Sequence, residues 1–225
     1  MAYKKLFNSE LLMPSMIKLL ILDQDGTLYK NKRLLNKIRE NTHEFFCKKL
    51  SIDKENYSRW YSKNKKDFPN IFEALKKFNI SIEEYHSQVF DIVKPESYLK
   101  KDRPLFKVLK MLGLPIYVVT SSSKNYSKKV LKSLGIYGLI KDSISLSKER
   151  NDKIKIYNEI IKSERVNPEE ACVIGDNWET DLKEAKKQRF RTILIGRKNQ
   201  KPFFIKSMKG LLAVIECFNK SSVKF

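Results

Sequence analysis

At 225 residues, with 41% hydrophobic and 32% charged residues, the chain can bury a substantial core as one domain or as a domain with a smaller insert, which excludes a disordered protein. Its apolar runs are far too short to span a membrane, its first residues lack a signal-peptide pattern, and Cys47, Cys172 and Cys217 are far apart with no Cys-x-x-Cys; a cytoplasmic protein with reduced thiols and no zinc site is expected. The formal net charge of +20 would attract polyanions, but the lysines run from Lys4 to Lys224 with only short doublets such as Lys100-Lys101, which reads as a solvated surface more than a nucleic-acid footprint.

Met1 to Ser15 carry no periodic pattern and are expected to be an extension, with Met16 an alternative natural start. The aliphatic run Leu19-Leu20-Ile21-Leu22 then stops at Asp23-Gln24-Asp25-Gly26-Thr27-Leu28. Such a run reads as a buried parallel strand, and its end as the loop where open α/β sheets hold their ligands. Asp23 and Asp25 stand two residues apart, so one can attack an electrophile while the other, after the chain turns at Gly26, serves as acid and base. That division of labour suits phosphoryl transfer. A solvated Asp-Gly turn is the competing reading of Asp25-Gly26 alone, and the buried strand in front of it argues against that reading.

From Lys32 to about Tyr98 the spacing is helical. Leu34, Leu35, Ile38, Thr42, Phe45 and Phe46 share one face, Ile71, Phe72, Leu75 and Phe78 another, and Ser81 with Glu84 makes a capping-box pattern ahead of Tyr85, Val89 and Phe90. Tyr57, Trp60 and Tyr61, with Phe68 close behind, form an aromatic stripe expected to pack the interior of this insert, and His43 and His86 are given no role. From Asp102 strands alternate with helices. A helix ends at Gly113, the strand Ile116-Tyr117-Val118-Val119 opens onto Thr120-Ser121-Ser122-Ser123, and a second helix stops at Gly135. A weaker strand is expected near Ser143 to Leu146, and a helix follows through Ile156, Tyr157, Ile160 and Ile161. The strands Ala171-Cys172-Val173-Ile174, ending at Gly175-Asp176, and Thr192-Ile193-Leu194-Ile195 come next, with a terminal helix from Ile205 to Phe218. The alternation predicts an α/β fold, a doubly wound Rossmann-like parallel sheet formed by residues 1–31 and 99–225, with residues 32–98 as an all-helical insert after the first strand.

The stretch Asp23 to Leu28 resembles the first motif, Asp-x-Asp-Gly-Thr-Leu, of the haloacid dehalogenase-like superfamily, and the later motifs follow in the family's order over about Ile17 to Ile215. The resemblance implies Asp23 as nucleophile and Asp25 as general acid and base, with Gly26 and Thr27 supporting them. An Asp at the second position is what the family's phosphatases and phosphomutases carry, whereas its dehalogenases and phosphonatases differ there. Thr120 falls at the second motif, whose hydroxyl bonds the transferring phosphoryl group; Ser121 follows where relatives often have Asn. For the third-motif lysine the chain has no Lys-Pro, and Lys153 has the most suitable spacing, with Lys148 and Lys155 as alternatives. Gly175-Asp176-Asn177-Trp178-Glu179-Thr180-Asp181 fits the fourth motif, Gly-Asp-x-x-x-x-Asp. The implied Mg²⁺ ligands are Asp23, the backbone carbonyl of Asp25, and Asp176, with Gly175 and Asp181 in support. The helical insert matches the family's cap and resembles its pyrimidine 5'-nucleotidase-like or phosphoglycolate phosphatase-like branch.

These readings converge on a Mg²⁺-dependent phosphatase that hydrolyses a small phosphomonoester, a nucleotide or sugar phosphate, through an aspartyl-phosphate. A phosphomutase would use the same residues. The positive charge motivates a rival, a nucleic-acid-end phosphatase or nucleic-acid-binding protein, which the dispersed lysines do not favour.

Overall fold

The computed structural model describes residues 16–64, 71–148, 151–196 and 204–220; the expected extension and Phe68 lie outside them. The mainly apolar runs form strands β1 (Leu19–Leu22), β2 (Ile116–Thr120), β4 (Ala171–Gly175) and β5 (Arg191–Ile195), joined by β3 (Asp142–Ser145) and the short β6 (Phe204–Ile205). All six are parallel in the order β3-β2-β1-β4-β5-β6. β1 is central, with Leu20 in register with Ile116 on one side and Cys172 on the other. Helices cover both faces of this doubly wound sheet, so a strand with no polar alternation is the one that fits its middle. Leu19 to Leu22 and Cys172 to Ile174 are wholly inaccessible. Each such side chain contributes roughly 1.5–3 kcal/mol by leaving water.

Between β1 and the helix α5 (Arg103–Leu112) the chain forms α1 (Lys32–Leu50), α2 (Lys54–Asn64), α3 (Ile71–Lys77) and α4 (Ile82–Val89). Asn31 caps α1 by accepting from the Leu34 N–H, and its amide donates to the Tyr98 carbonyl (2.7 Å), so one side chain ties the start of the helical segment to its end. Ser81 likewise accepts from the Glu84 N–H at the start of α4. Inside the segment, Phe45, Phe46, Tyr85 and Phe90 pack through edge and tilted ring contacts, and the Asn41 amide is satisfied by the Val89 carbonyl. Tyr57 and Trp60 touch the apolar core, yet α2 buries no residue fully and Tyr61 is 46% exposed.

The remaining helices are α6 (Lys124–Leu134), α7 (Lys153–Glu164), α8 (Lys183–Lys187) and α9 (Leu211–Lys220). α5 and α6 end on Gly113 and Gly135 in the left-handed region, as the glycine positions predict. The structure corrects the sequence reading at its end. Ile205 does not begin the terminal helix; with Phe204 it pairs with β5, a 3₁₀ turn follows at Met208–Gly210, and α9 starts at Leu211. A two-residue edge strand is too short to show a period. β3 also lies one residue earlier than expected, because only Ile144 marks it as apolar. No described helix is long and apolar enough to cross a membrane.

Candidate active site

Every element that ends at the carboxyl edge of the sheet near β1 delivers a polar side chain. Asp23 and Asp25 follow β1, Thr120 closes β2, Asp176 follows β4, and Lys153 opens α7 after β3. This is the crevice where an open α/β sheet leaves room for a ligand.

Lys153 is the centre of charge. Its ammonium donates to Asp23 Oδ1 and Asp181 Oδ1, both at 2.7 Å, with the lysine and Asp23 side chains each 10% exposed. Burial pulls the Lys153 pKa down, but the Asp23 and Asp181 carboxylates outweigh it and hold the group well above the usual lysine range. Lys148 and Lys155, the other two sequence candidates, are exposed. Asp23 also accepts from the Thr27 hydroxyl at 3.0 Å. Burial pushes its carboxyl up to about 7; Lys153 opposes that shift and the charge of Asp181 adds to it.

Asp25 has a different environment. The Tyr29 hydroxyl donates to Oδ1 and the Ser122 hydroxyl to Oδ2, while Thr120 Oγ1 stands 3.5 Å from Oδ2. Tyr29 is itself in contact with the Tyr126 hydroxyl at 2.8 Å. Burial raises the Asp25 pKa and the Ser122 and Tyr29 hydrogen bonds partly offset the rise. Thr120 is buried and its Oγ1 accepts from the Ser122 N–H (3.1 Å), which shapes the Thr120-Ser121-Ser122-Ser123 loop. Ser123 caps α6 by accepting from the Tyr126 N–H.

Asp176, Asp181 and Asp23 each offer a carboxylate oxygen, and these lie within 4.8 Å of one another. Among the described residues one buried lysine, Lys153, faces Asp23, Asp25, Asp176 and Asp181, with the more exposed Lys30 near Asp176, so negative charge is left over. Asp176 registers that excess: desolvation first and the Asp181 charge second push its carboxyl up to about 6. A close set of hard oxygen donors with uncompensated negative charge fits Mg²⁺. Two glycines make room for these carboxylates. Gly175 lies so near Asp181 that an added Cβ would stand 2.6 Å from the Asp181 Cβ, and at Gly26, where φ is +91°, a Cβ would run into the Asp176 carboxylate. Gly26→Ala is therefore expected to displace Asp176, lower turnover sharply and cost ~1–2 kcal/mol from the positive φ alone; thermal melts and steady-state rates of the variant check both effects.

Some participants are invisible in the sequence. Ser122 meets Asp25 from 97 residues away and Tyr126 meets Tyr29 across the same separation, both through tertiary packing, while Tyr29 reaches Asp25 from four residues on with no motif to mark it. His86, given no role by the sequence, places Nε2 2.9 Å from the Ser121 carbonyl, and Asp91 accepts from the Ser123 hydroxyl while its own carbonyl accepts from Lys129 (3.2 Å). The helical segment thus grips the Ser121-Ser123 loop directly. No local pattern marks these contacts, although the Ser run itself was legible.

Residues 17–188 match a family model described as hydrolase, haloacid dehalogenase-like hydrolase. Among solved structures, the chain is similar to a haloacid dehalogenase-type phosphatase from Thermococcus onnurineus, with 21% identity and TM-score 0.63, over 88% of this chain and 98% of that one. It is also similar to a β-phosphoglucomutase from Clostridium difficile, with 20% identity and TM-score 0.58, over 93% and 100%. A third likeness is to an L-2-haloacid dehalogenase from Xanthobacter autotrophicus, with 13% identity and TM-score 0.55, over 89% and 99%. At such identities the likeness concerns the fold. Comparison with curated proteins finds no match.

Proposed function

We propose a reaction from one premise: the chain belongs to the haloacid dehalogenase-like hydrolase family. Within it, this protein hydrolyses a small phosphomonoester, a nucleotide or sugar phosphate, and not a carbon–halogen bond. The observation that carries the reading is Asp25. A halide departs as a stable anion and needs no proton, whereas the oxygen of a phosphate ester does. A carboxyl whose pKa is raised by burial, held by the Tyr29 and Ser122 hydroxyls two residues from Asp23, supports such a proton donor.

In the proposed sequence Asp23 attacks phosphorus, forming an aspartyl-phosphate, as Asp25 gives its proton to the departing oxygen. Asp25, now a carboxylate, takes a proton from the water that attacks the aspartyl-phosphate, which releases inorganic phosphate and restores Asp23. Lys153, the Thr120 hydroxyl and the N–H groups of the Ser121 loop offset charge on the phosphoryl oxygens. Asp23, the Asp25 carbonyl and Asp176 would hold Mg²⁺, with Asp181 behind them. Bound there, the ion would supply further positive charge to the phosphoryl oxygens and help orient them. Residues 32–98 form the cap that shields this chemistry from bulk water, anchored at the Ser121-Ser123 loop by His86 and Asp91.

The test is a phosphate-release screen over nucleotides, sugar phosphates and phosphorylated oligonucleotides, each with and without Mg²⁺. Release from a small phosphomonoester that needs Mg²⁺ is the expected result. Preferential cleavage of oligonucleotide ends would move the substrate to nucleic acid, and a product that keeps its phosphate would make the protein a phosphomutase. In the same assay Asp176→Ala should need ~10-fold more Mg²⁺ or worse for half-maximal rate. Unaltered activity after exhaustive chelation would remove the metal from the account.

A further inference from the structure

One peptide unit at the carboxyl edge of the sheet is held from two sides. The Ser121–Ser122 bond is trans, so its C=O and N–H point in opposite directions. His86 Nε2 lies 2.9 Å from the carbonyl oxygen, and the N–H donates to Thr120 Oγ1 at 3.1 Å. A carbonyl oxygen only accepts, so Nε2 carries the hydrogen of the outer bond. With the cap at one end and the last residue of β2 at the other, this peptide plane cannot turn without breaking one of the two bonds.

The ring that makes the outer bond is itself fixed. His86 packs edge-on against Phe90, with ring centres 5.8 Å apart, and Phe90 packs on Tyr126 at 5.4 Å. The His86 carbonyl accepts from the N–H groups of both Phe90 and Asp91 (3.0 and 3.1 Å), so His86 and Asp91, which accepts from the Ser123 hydroxyl, belong to one turn at the end of α4. At the inner end Thr120 is buried, and one lone pair of its Oγ1 is committed to the Ser122 N–H. The Oγ1 hydrogen must then find its acceptor in another direction, and Asp25 Oδ2, at 3.5 Å, is too far for a strong bond. That hydrogen is available to a phosphoryl oxygen.

We propose that His86 is a positioning residue for the phosphoryl-binding hydroxyl: reaching from the cap, it fixes the Ser121–Ser122 peptide, whose N–H in turn aims the Thr120 hydroxyl at the substrate. What Thr120 meets follows from the phosphatase reading, on which this proposal rests; the clamp itself is geometry. The hydroxyl is set only while α4 lies on the Ser121-Ser123 loop, which ties the position of the cap to the phosphate cradle. His86 touches no reacting atom. Its effect passes through Thr120 and should vanish when residue 120 has no hydroxyl.

Amide exchange followed by NMR, together with a double-mutant cycle, makes the test. In His86→Phe, which keeps a ring and removes the donor, the Ser122 N–H should exchange with solvent ~10-fold faster or more than in the parent, and His86→Gln, whose amide donates from a similar reach, should restore slow exchange. On the best small phosphomonoester, His86→Phe should lower kcat/KM ~10-fold in the parent but ~2-fold or less in Thr120→Val, with His86→Gln within ~3-fold of the parent. Thermal melts establish that each protein is folded. Unaltered Ser122 exchange in His86→Phe, losses from His86→Phe and Thr120→Val that multiply in full, or equal damage from His86→Gln and His86→Phe would overturn the role of His86. A parent protein that releases phosphate from no ester would overturn the phosphatase reading instead, and the Ser122 exchange rates would then decide the clamp.

Discussion

Asp23→Asn protein is expected to lose turnover by ~10³-fold or more while remaining folded, and to melt at the same or a higher temperature than the parent at neutral pH. The amide fills the space of the carboxylate and its oxygen can still accept from Lys153, but it is a far poorer nucleophile. The stability half of the expectation comes from linkage. The Asp23 carboxyl is pushed from 3.8 up to about 7 by burial, so the parent forfeits stability as pH rises from near the lower value through the upper one. The amide does not ionise. Its stability advantage should therefore be small near pH 4 and largest above about 7, which paired melts across that window will show. Substantial activity in Asp23→Asn, in protein checked by mass for deamidation, would remove Asp23 from the nucleophile's role.

The other large effect is expected at Lys153→Met. Removing the ammonium strands Asp23 and Asp181, each of which it meets at 2.7 Å, in a crevice that already holds excess negative charge. Breaking a buried pair from one side costs on the order of 3–5 kcal/mol. The loss should shrink on acidification, because protonating a crowded carboxyl relieves the repulsion, and it should also shrink when Mg²⁺ is added. Activity should fall with it, since no other lysine among the described residues bonds Asp23. Lys148→Ala and Lys155→Ala, which alter exposed side chains, should change melting and rates little. A Lys153→Met protein as stable and active as its parent, or equal damage from Lys148→Ala, would displace Lys153 from the site.

What could be read from the residues alone follows physical lines. β1, β2, β4 and β5 were legible because strands buried on both faces read as near-continuous apolar runs, and a carboxylate or hydroxyl at the end of such a run marks the sheet edge where ligands bind. Asp23, Asp25 and Asp176 stood out for that reason. Edge elements carried less signal: β3 has one aliphatic residue and β6 only two residues in all. Lys153 was preferred to Lys148 and Lys155 on spacing alone, in a chain of 46 lysines and arginines, and its burial between two carboxylates is what separates it from them. Ser122 and His86 act across long sequence separations, which no spacing rule registers, and Tyr29, though only four residues from Asp25, carries no pattern that marks its hydroxyl as a partner.

The central claim is that Asp23 becomes covalently phosphorylated, and it can be observed directly. Asp25→Asn withholds both the acid for the leaving group and the base that activates water, each typically worth ~10²–10⁴-fold; an aryl phosphate whose leaving group departs without a proton spares the first step, so the intermediate should accumulate. Mixing this variant with such an aryl phosphate and Mg²⁺, quenching in acid within seconds and sequencing the peptides by mass spectrometry should place one phosphoryl group on Asp23. Label on any other residue, or phosphate release by this variant with no phosphoryl group found on Asp23 at any quench time, would contradict the account.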